Sequence, residues 1–206
     1  MSLTFTESQV MKYCFQNQNA LLMINQAVED YMSARCLLLN GFFPGLVFSA
    51  QAVEKYLKGY LLLVNNKANA KKSWHKMMQI KNEIQSTKDF GLDKYNSLIE
   101  RLEKHYLTRY PDNKDASKFK STGEILEIDE FIFHLNENLP IPVEVKYRTG
   151  LYARLFPINE TPMSLNDQRW IITNNIPLLK NLSFLQKKNN EVINHLFPSS
   201  SSNNAT

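Results

Sequence analysis

The densest group of chemically useful side chains lies between residues 101 and 112. Arg101 and His105 are one helical turn apart, and Arg109 follows one turn later if the helix continues. Such a group could cleave a phosphodiester. The imidazole would act as general acid or base on a ribose 2′-hydroxyl, and a guanidinium would stabilise charge on the phosphate oxygens. Arg101, His105 and Arg109 are therefore candidate catalytic residues, although a half-buried histidine and surface arginines at a helix end give the same pattern.

A second polar group follows an apolar stripe on a predicted helix over residues 44–65. Glu54, Lys55 and Lys58 share one arc beside that stripe, and Glu54 and Lys58 have the spacing of an i,i+4 pair. Arg35, on the preceding predicted helix, lies in the centre of its apolar stripe and needs a partner there. We expect either an Arg35–Glu54 ion pair that holds the two helices in register, or a polar cluster that faces a phosphate or a protein partner.

His75 stands near the start of a predicted third helix, where it either bonds a helix end or reaches a nucleotide. No glycine-rich phosphate loop and no His-Glu-x-x-His motif occurs, and no Cys or His cluster has metal-ligand spacing. P-loop enzymes, Rossmann oxidoreductases and zinc hydrolases of these types are thereby disfavoured. We expect neither a metal nor a cofactor. The two cysteines, Cys14 and Cys36, are expected to be packing residues.

The charge of this 206-residue chain is uneven. Its formal net charge of +4 resides entirely in residues 67–104, where nine Lys or Arg stand against five Asp or Glu. A local basic surplus attracts phosphates or nucleic acid, but a solvated helical face has the same composition. No apolar stretch approaches the about 20 residues that a bilayer span needs, and no basic-then-apolar leader is present. We expect a cytoplasmic protein without a membrane segment.

The hydrophobic period predicts a mainly α protein with a small β insertion. Helical spacing of apolar residues covers most of the chain, whereas Val143–Tyr147 and Leu151–Leu155 alternate with a period of two around Arg148-Thr-Gly150, which predicts a β-hairpin. Residues 124–135 fit either helix or strand. Helices are predicted over 19–40, 44–65, 74–85, 92–109 and 166–196. The predicted division is an N-terminal segment 1–18, a helical domain of 19–114 with 163–197, an inserted β-containing subdomain 115–162, and a disordered tail 198–206.

The first two predicted helices resemble the signature of the HEPN family, the higher eukaryote and prokaryote nucleotide-binding domain. The matching strings are Asp30-Tyr31-x-x-Ala34-Arg35-x-Leu37-Leu38-x-x-Gly41-x-Phe43 and Phe48-Ser49-Ala50-Gln51-x-Val53-Glu54-Lys55-x-Leu57-Lys58. His75 and the string Tyr106-x-x-Arg109-Tyr110-Pro111-Asp112 follow in the family's order. The resemblance implies an up-and-down bundle of four or five helices that forms a homodimer, and nucleotide binding. It also implies a nucleotidyltransferase-type partner, or metal-independent ribonuclease activity in bacterial-type toxin–antitoxin or defence systems.

The ribonuclease pattern of that family is not fully present. It has an Arg and then, after four to six intervening residues, a His. The corresponding positions after Arg109 hold Lys114, Asp115 and Ala116, while only three residues separate Arg101 from His105. The interpretation favoured by the sequence is therefore a HEPN-like nucleotide- or RNA-binding module that works with a nucleotidyltransferase-type partner. The alternatives are a ribonuclease toxin and a non-catalytic helical dimer that docks a partner. The predicted ligand-binding residues are Glu54, Lys55, Lys58, His75, Arg109 and Tyr110.

Overall fold

The computed structural model describes residues 3–65, 76–87, 90–107, 124–157 and 168–197, and every regular element within these ranges is helical. Two long helices form the centre: α2 spans Gln18–Leu39 and α3 spans Pro44–Val64. Before them, α1 spans Glu7–Gln16 and begins with a capping box between Thr6 and Gln9. None of the described helices is long and apolar enough to cross a membrane.

Helices α2 and α3 form the antiparallel hairpin that the sequence predicts. Gly41, in the left-handed conformation (φ 77°), follows the end of α2, and Pro44 occupies the first turn of α3. Two glycines allow the helices to approach closely. A Cβ at Gly45 would lie 2.8 Å from the carbonyl oxygen of Ala34, and a Cβ at Gly59 would lie 3.0 Å from that of Ala20. The late part of α2 therefore meets the early part of α3, in fixed register.

The remaining helices pack around this hairpin and share one apolar core with it. Residues 168–172 also form a short helical segment. In chain order the other elements are α4 Met77–Thr87, a 3₁₀ turn Leu92–Tyr95, α5 Asn96–Leu107, α6 Glu124–Glu137, α7 Val143–Lys146, α8 Gly150–Leu155 and α9 Ile176–Leu196. The prediction of a mainly α bundle is thereby confirmed in its helical content, and the undecided stretch 124–135 is helical. The predicted tail 198–206 lies outside the described residues.

The predicted β-hairpin is wrong. Val143–Lys146 and Gly150–Leu155 are the short helices α7 and α8, separated by a turn over residues 147–149. Gly150, the first residue of α8, adopts φ 62°. The alternation misled because its charged residues do not face solvent. The buried carboxylate of Glu144 accepts hydrogen bonds from the backbone N–H groups of Thr4 (2.5 Å) and Phe5 (2.8 Å), and the buried ammonium of Lys146 donates to the Glu137 carbonyl (2.6 Å). A period of two requires one solvated face, which α7 does not have.

The described residues of the predicted insertion contribute to the common core. Ile128 and Phe131 of α6, Val145 of α7 and Tyr152 of α8 are all buried in the same apolar cluster as the α2–α3 hairpin. The division of the chain into domain and insertion stays a prediction, but its inserted part carries no strand among the described residues.

Arg35 forms an ion pair with Asp129 of α6, and this corrects the predicted Arg35–Glu54 pair. Both side chains are at most 1% exposed. The guanidinium also donates to the carbonyl oxygens of Trp170 (Nε, 2.7 Å) and Thr173 (Nη2). The Tyr31 hydroxyl donates to the second Asp129 oxygen at 2.6 Å. The prediction failed because Glu54 lies beside the apolar stripe of α3, whereas α6 brings a carboxylate directly into the core.

We predict that Asp129→Ala lowers the free energy of unfolding by about 3–5 kcal/mol, because it leaves the Arg35 guanidinium buried without its counter-charge. Urea denaturation followed by circular dichroism measures this. The matched control is Glu130→Ala, which removes only the exposed Lys94–Glu130 contact at 3.8 Å and is expected to change stability by less than about 0.5 kcal/mol. An equal, small effect of the two substitutions would contradict the central role of Asp129.

Candidate functional site

The predicted catalytic residues Arg101 and His105 do lie together on α5, and both contact one carboxylate from α6. His105 Nε2 lies 2.8 Å from Glu124 Oε2, and Arg101 Nε lies 3.3 Å from Glu124 Oε1. Arg101 also pairs with Glu127 and donates to the Ser97 hydroxyl at 2.9 Å. The cluster of Arg101, His105, Glu124 and Glu127, called the α5–α6 cluster here, joins two helices through charge-assisted hydrogen bonds.

The contacts of the α5–α6 cluster hold helix α5 against helix α6. The His105 side chain is only 2% exposed, and one of its ring nitrogens is already engaged by Glu124. General acid–base catalysis needs the imidazole within hydrogen-bond reach of the substrate proton. With its side chain almost fully buried, His105 does not present its ring to an RNA 2′-hydroxyl. Arg101, in contrast, remains partly accessible, with its guanidinium paired to two carboxylates.

The predicted ligand-binding residues of α3 form a second polar cluster. Lys58 donates to Glu54 at 2.5 Å, with side-chain exposures of 10% and 8%. Lys55 pairs with Asp30 of α2 at 2.7 Å and is more open to solvent. Glu54, Lys55 and Lys58 are called the α3 cluster here. Lys58 is placed beside both of the others by its i,i+4 spacing from Glu54 and its i,i+3 spacing from Lys55.

Three predicted site residues, His75, Arg109 and Tyr110, lie outside the described residues. Their roles stay predictions. Across the described ranges, no group of three or more His, Cys, Asp or Glu side chains could hold a metal ion.

The sequence reasoning missed two carboxylates that pair with the predicted residues: Asp129 and Glu124. Both lie on α6, which the sequence left undecided between helix and strand. Ile128, Phe131, Ile132 and Leu135 of α6 are buried and have helical spacing, and Asp129 follows the first of them. That spacing was the available signal, since a helix over 124–137 places Asp129 at the edge of the apolar stripe.

The HEPN domain family profile matches residues 20–139, which is more than half of the chain. The chain belongs to the HEPN family. No curated protein and no solved structure matches the chain significantly. The matched HEPN span runs from α2 to the end of α6 and contains both the α3 cluster and the α5–α6 cluster. HEPN domains generally bind nucleotides or RNA.

The environment of the Glu124 carboxyl lowers its pKa. Burial alone would raise the pKa of Glu124, but the hydrogen bond from His105 and the charges of His105 and Arg101 outweigh burial and lower it. A carboxyl whose pKa is lower in the folded state binds protons more weakly there than in the unfolded chain. Its stabilising contribution is therefore present above the unfolded pKa and disappears as the pH falls through the folded one.

We predict that Glu124→Gln lowers the free energy of unfolding by about 1–2 kcal/mol at pH 7. The difference from wild type should shrink as the pH falls below about 4.3, the ordinary pKa of Glu, because protonation then removes the same charge from the wild-type protein. Urea denaturation of both proteins between pH 3 and pH 7 measures the difference. A stability difference between the two proteins that stays constant or grows towards low pH would contradict the stabilising role of the Glu124 carboxylate.

Proposed function

We propose that this HEPN domain is a nucleotide- or RNA-binding module whose phosphate-binding surface is built on the α3 cluster. The observation that carries the proposal is the shielded Lys58–Glu54 pair within the HEPN-matched span. A lysine ammonium offers a compact positive charge with three donors, which suits a phosphate group. Lys55, three residues before Lys58, adds a second positive charge on the same side of α3.

The ion pair of the α3 cluster differs in placement from the other shielded ion pairs. The Arg101–Glu124 and His105–Glu124 contacts join α5 to α6, and Arg35–Asp129 joins α2 to α6. Lys58 and Glu54, in contrast, pair within one helix. Withdrawing two charges from water costs several kcal/mol, which an ion pair offsets only partly. We infer that the protein retains the Lys58 charge, beside that of Lys55, for the phosphate of a ligand.

Ribonuclease activity through Arg101 and His105 has weaker support. The imidazole is shielded, and general acid–base catalysis needs it within hydrogen-bond reach of the substrate. The nucleotidyltransferase-type partner and the homodimer remain proposals that rest on the HEPN membership. The exposed apolar side chains Ile176, Leu179 and Phe184 on α9 support a protein contact in addition to the ligand.

We predict that the double substitution Glu54→Gln/Lys58→Met weakens binding of a fluorescent ATP analogue or a labelled RNA oligonucleotide at least about tenfold, because a charge-assisted contact to phosphate is lost. Removing both partners together avoids leaving a buried charge unpaired. Fluorescence anisotropy at fixed salt gives the Kd.

The matched control is Lys188→Met/Glu191→Gln, which removes an ion pair of similar length (2.7 Å) on α9. Binding should stay at the wild-type level in that variant, and both variants should retain the wild-type circular dichroism spectrum. Equal affinities of the two double variants would reject the α3 cluster as the phosphate-binding surface.

We also predict that purified protein incubated with total RNA and a labelled oligonucleotide in EDTA shows no cleavage that depends on Arg101 or His105. Arg101→Gln and His105→Ala variants give the comparison, and Arg109→Ala tests the third candidate. Gel electrophoresis measures the products. If the wild type cleaves RNA and folded Arg101→Gln or His105→Ala protein does not, the protein is a ribonuclease and the proposed binding module is wrong.

A further inference from the structure

The last helix, α9, lies beyond the HEPN-matched span and presents an apolar and basic face to solvent. With about 100° between successive residues, Ile176, Lys180 and Lys187 lie within about 40° of one another on that face. Leu179 and Phe184, which are 45% and 61% exposed, flank the two lysines. The opposite side of α9 packs into the core through Leu178, Leu185 and Val192. The helix therefore has a second apolar surface, which stays open to solvent.

The charge of this outer face is positive. Helix α9 carries three lysines and one glutamate, Glu191, which lies one turn from Lys187 but pairs with Lys188 at 2.7 Å. Lys180 and Lys187 are exposed and lie about 10.5 Å apart along the helix axis. The outer face of α9 thus offers two positive charges at a spacing of about two helical turns.

The helices that pack against α9 do not supply the matching carboxylates. Helices α6 and α7 both contact α9, and each of their described carboxylates has its partner on another element. These contacts are Glu124 and Glu127 with Arg101, Asp129 with Arg35, Glu130 with Lys94, Glu137 with Tyr152, and Glu144 with the backbone of Thr4 and Phe5. An acidic group for the outer face of α9 therefore has to come from a binding partner.

The same charges argue against a second copy of this chain as the occupant. In a two-fold dimer each copy contributes the same face, so Lys180 and Lys187 of one copy would lie near those of the other. Like charges across an interface oppose association. A membrane surface is also a poor match, because a helix that lies on a bilayer buries its broad apolar face there, and that face of α9 is in the core.

We propose that the outer face of α9 binds an amphipathic helix of a different protein that carries acidic residues about two turns apart. Apolar side chains of that helix pack against Leu179 and Phe184, and its carboxylates pair with Lys180 and Lys187. This inference names the class of partner for the protein contact proposed above and rests on that contact. It does not depend on phosphate binding at the α3 cluster.

Two synthetic peptides of about 21 residues, three heptads each, test the proposal. Both have Leu at the a and d positions, and one has Glu where the other has Lys at e and g. Fluorescence anisotropy of each labelled peptide with the full chain gives the Kd. The Glu peptide is expected to bind at least about tenfold more tightly than the Lys peptide, with an affinity that falls as the NaCl concentration rises. Lys180→Glu/Lys187→Glu is expected to reverse this preference.

The apolar part of the face has its own test. Leu179→Ser/Phe184→Ser is expected to weaken binding of the Glu peptide at least about tenfold. The matched control, Met11→Ser/Phe15→Ser, removes two exposed apolar side chains (67% and 81%) from α1 and should leave the Kd unchanged. All these positions are exposed, so each variant should keep the wild-type circular dichroism spectrum.

Failure of the Glu peptide to bind at about 0.1 mM would overturn the proposal, as would equal affinities of the two peptides or an unchanged preference in folded Lys180→Glu/Lys187→Glu protein. A wild-type dimer that dissociates in Leu179→Ser/Phe184→Ser would assign the face to a second copy instead. Binding of anionic vesicles or RNA, without peptide binding, that is lost in Lys180→Glu/Lys187→Glu would assign it to a membrane or a nucleic acid.

The α3 cluster is tested separately in the same experiments. Glu54→Gln/Lys58→Met should leave binding of the Glu peptide unchanged, and loss of peptide binding in that folded variant would overturn the placement on α9. If the ATP analogue or the RNA oligonucleotide binds at the α3 cluster and the Glu peptide does not bind, only the proposal for α9 fails.

Discussion

A charge in the middle of an apolar helix face has to be matched by other parts of the fold, and in this protein that charge is Arg35. Its guanidinium pairs with Asp129 of α6 and donates to two carbonyl oxygens near residues 170–173. Tyr31 and Asn175 complete the network, with Asn175 donating to the Tyr31 hydroxyl at 2.9 Å. Because an uncompensated buried charge is so costly, α2, α6 and the segment before α9 must come together for the chain to fold.

Much of this arrangement was predictable, and the failures have one physical cause. The α2–α3 hairpin followed from apolar residues at helical spacing, with Asn40-Gly41 and Pro44 marking the turn. The helical spacing and the HEPN strings also placed Glu54, Lys55 and Lys58 together. The β-hairpin prediction and the Arg35–Glu54 prediction failed because both assumed that charged residues lie at the surface or pair locally. Glu144, Lys146 and Asp129 are instead buried by tertiary contacts that no local pattern encodes.

The two polar clusters of the HEPN span contain similar residues and have different consequences. In the α5–α6 cluster, Glu124 connects residues that are distant along the chain, so its hydrogen bonds oppose separation of two helices. In the α3 cluster, Lys58 and Glu54 are four residues apart on one helix and pair with each other there. The chemistry of arginine and histidine first suggested catalysis at 101–109. Burial of the His105 ring, which the sequence does not display, argues against that role.

The C-terminal part of the chain belongs to the same structural unit, although the HEPN match ends at residue 139. The carbonyl oxygens of Trp170 and Thr173 accept hydrogen bonds from Arg35, so the core of the matched span is completed by residues outside it. Ile172, between these two residues, lines a pocket together with Asn189. The segment 168–175 thus has two roles at once, since its backbone satisfies the central guanidinium and its side chains shape the neighbouring pocket.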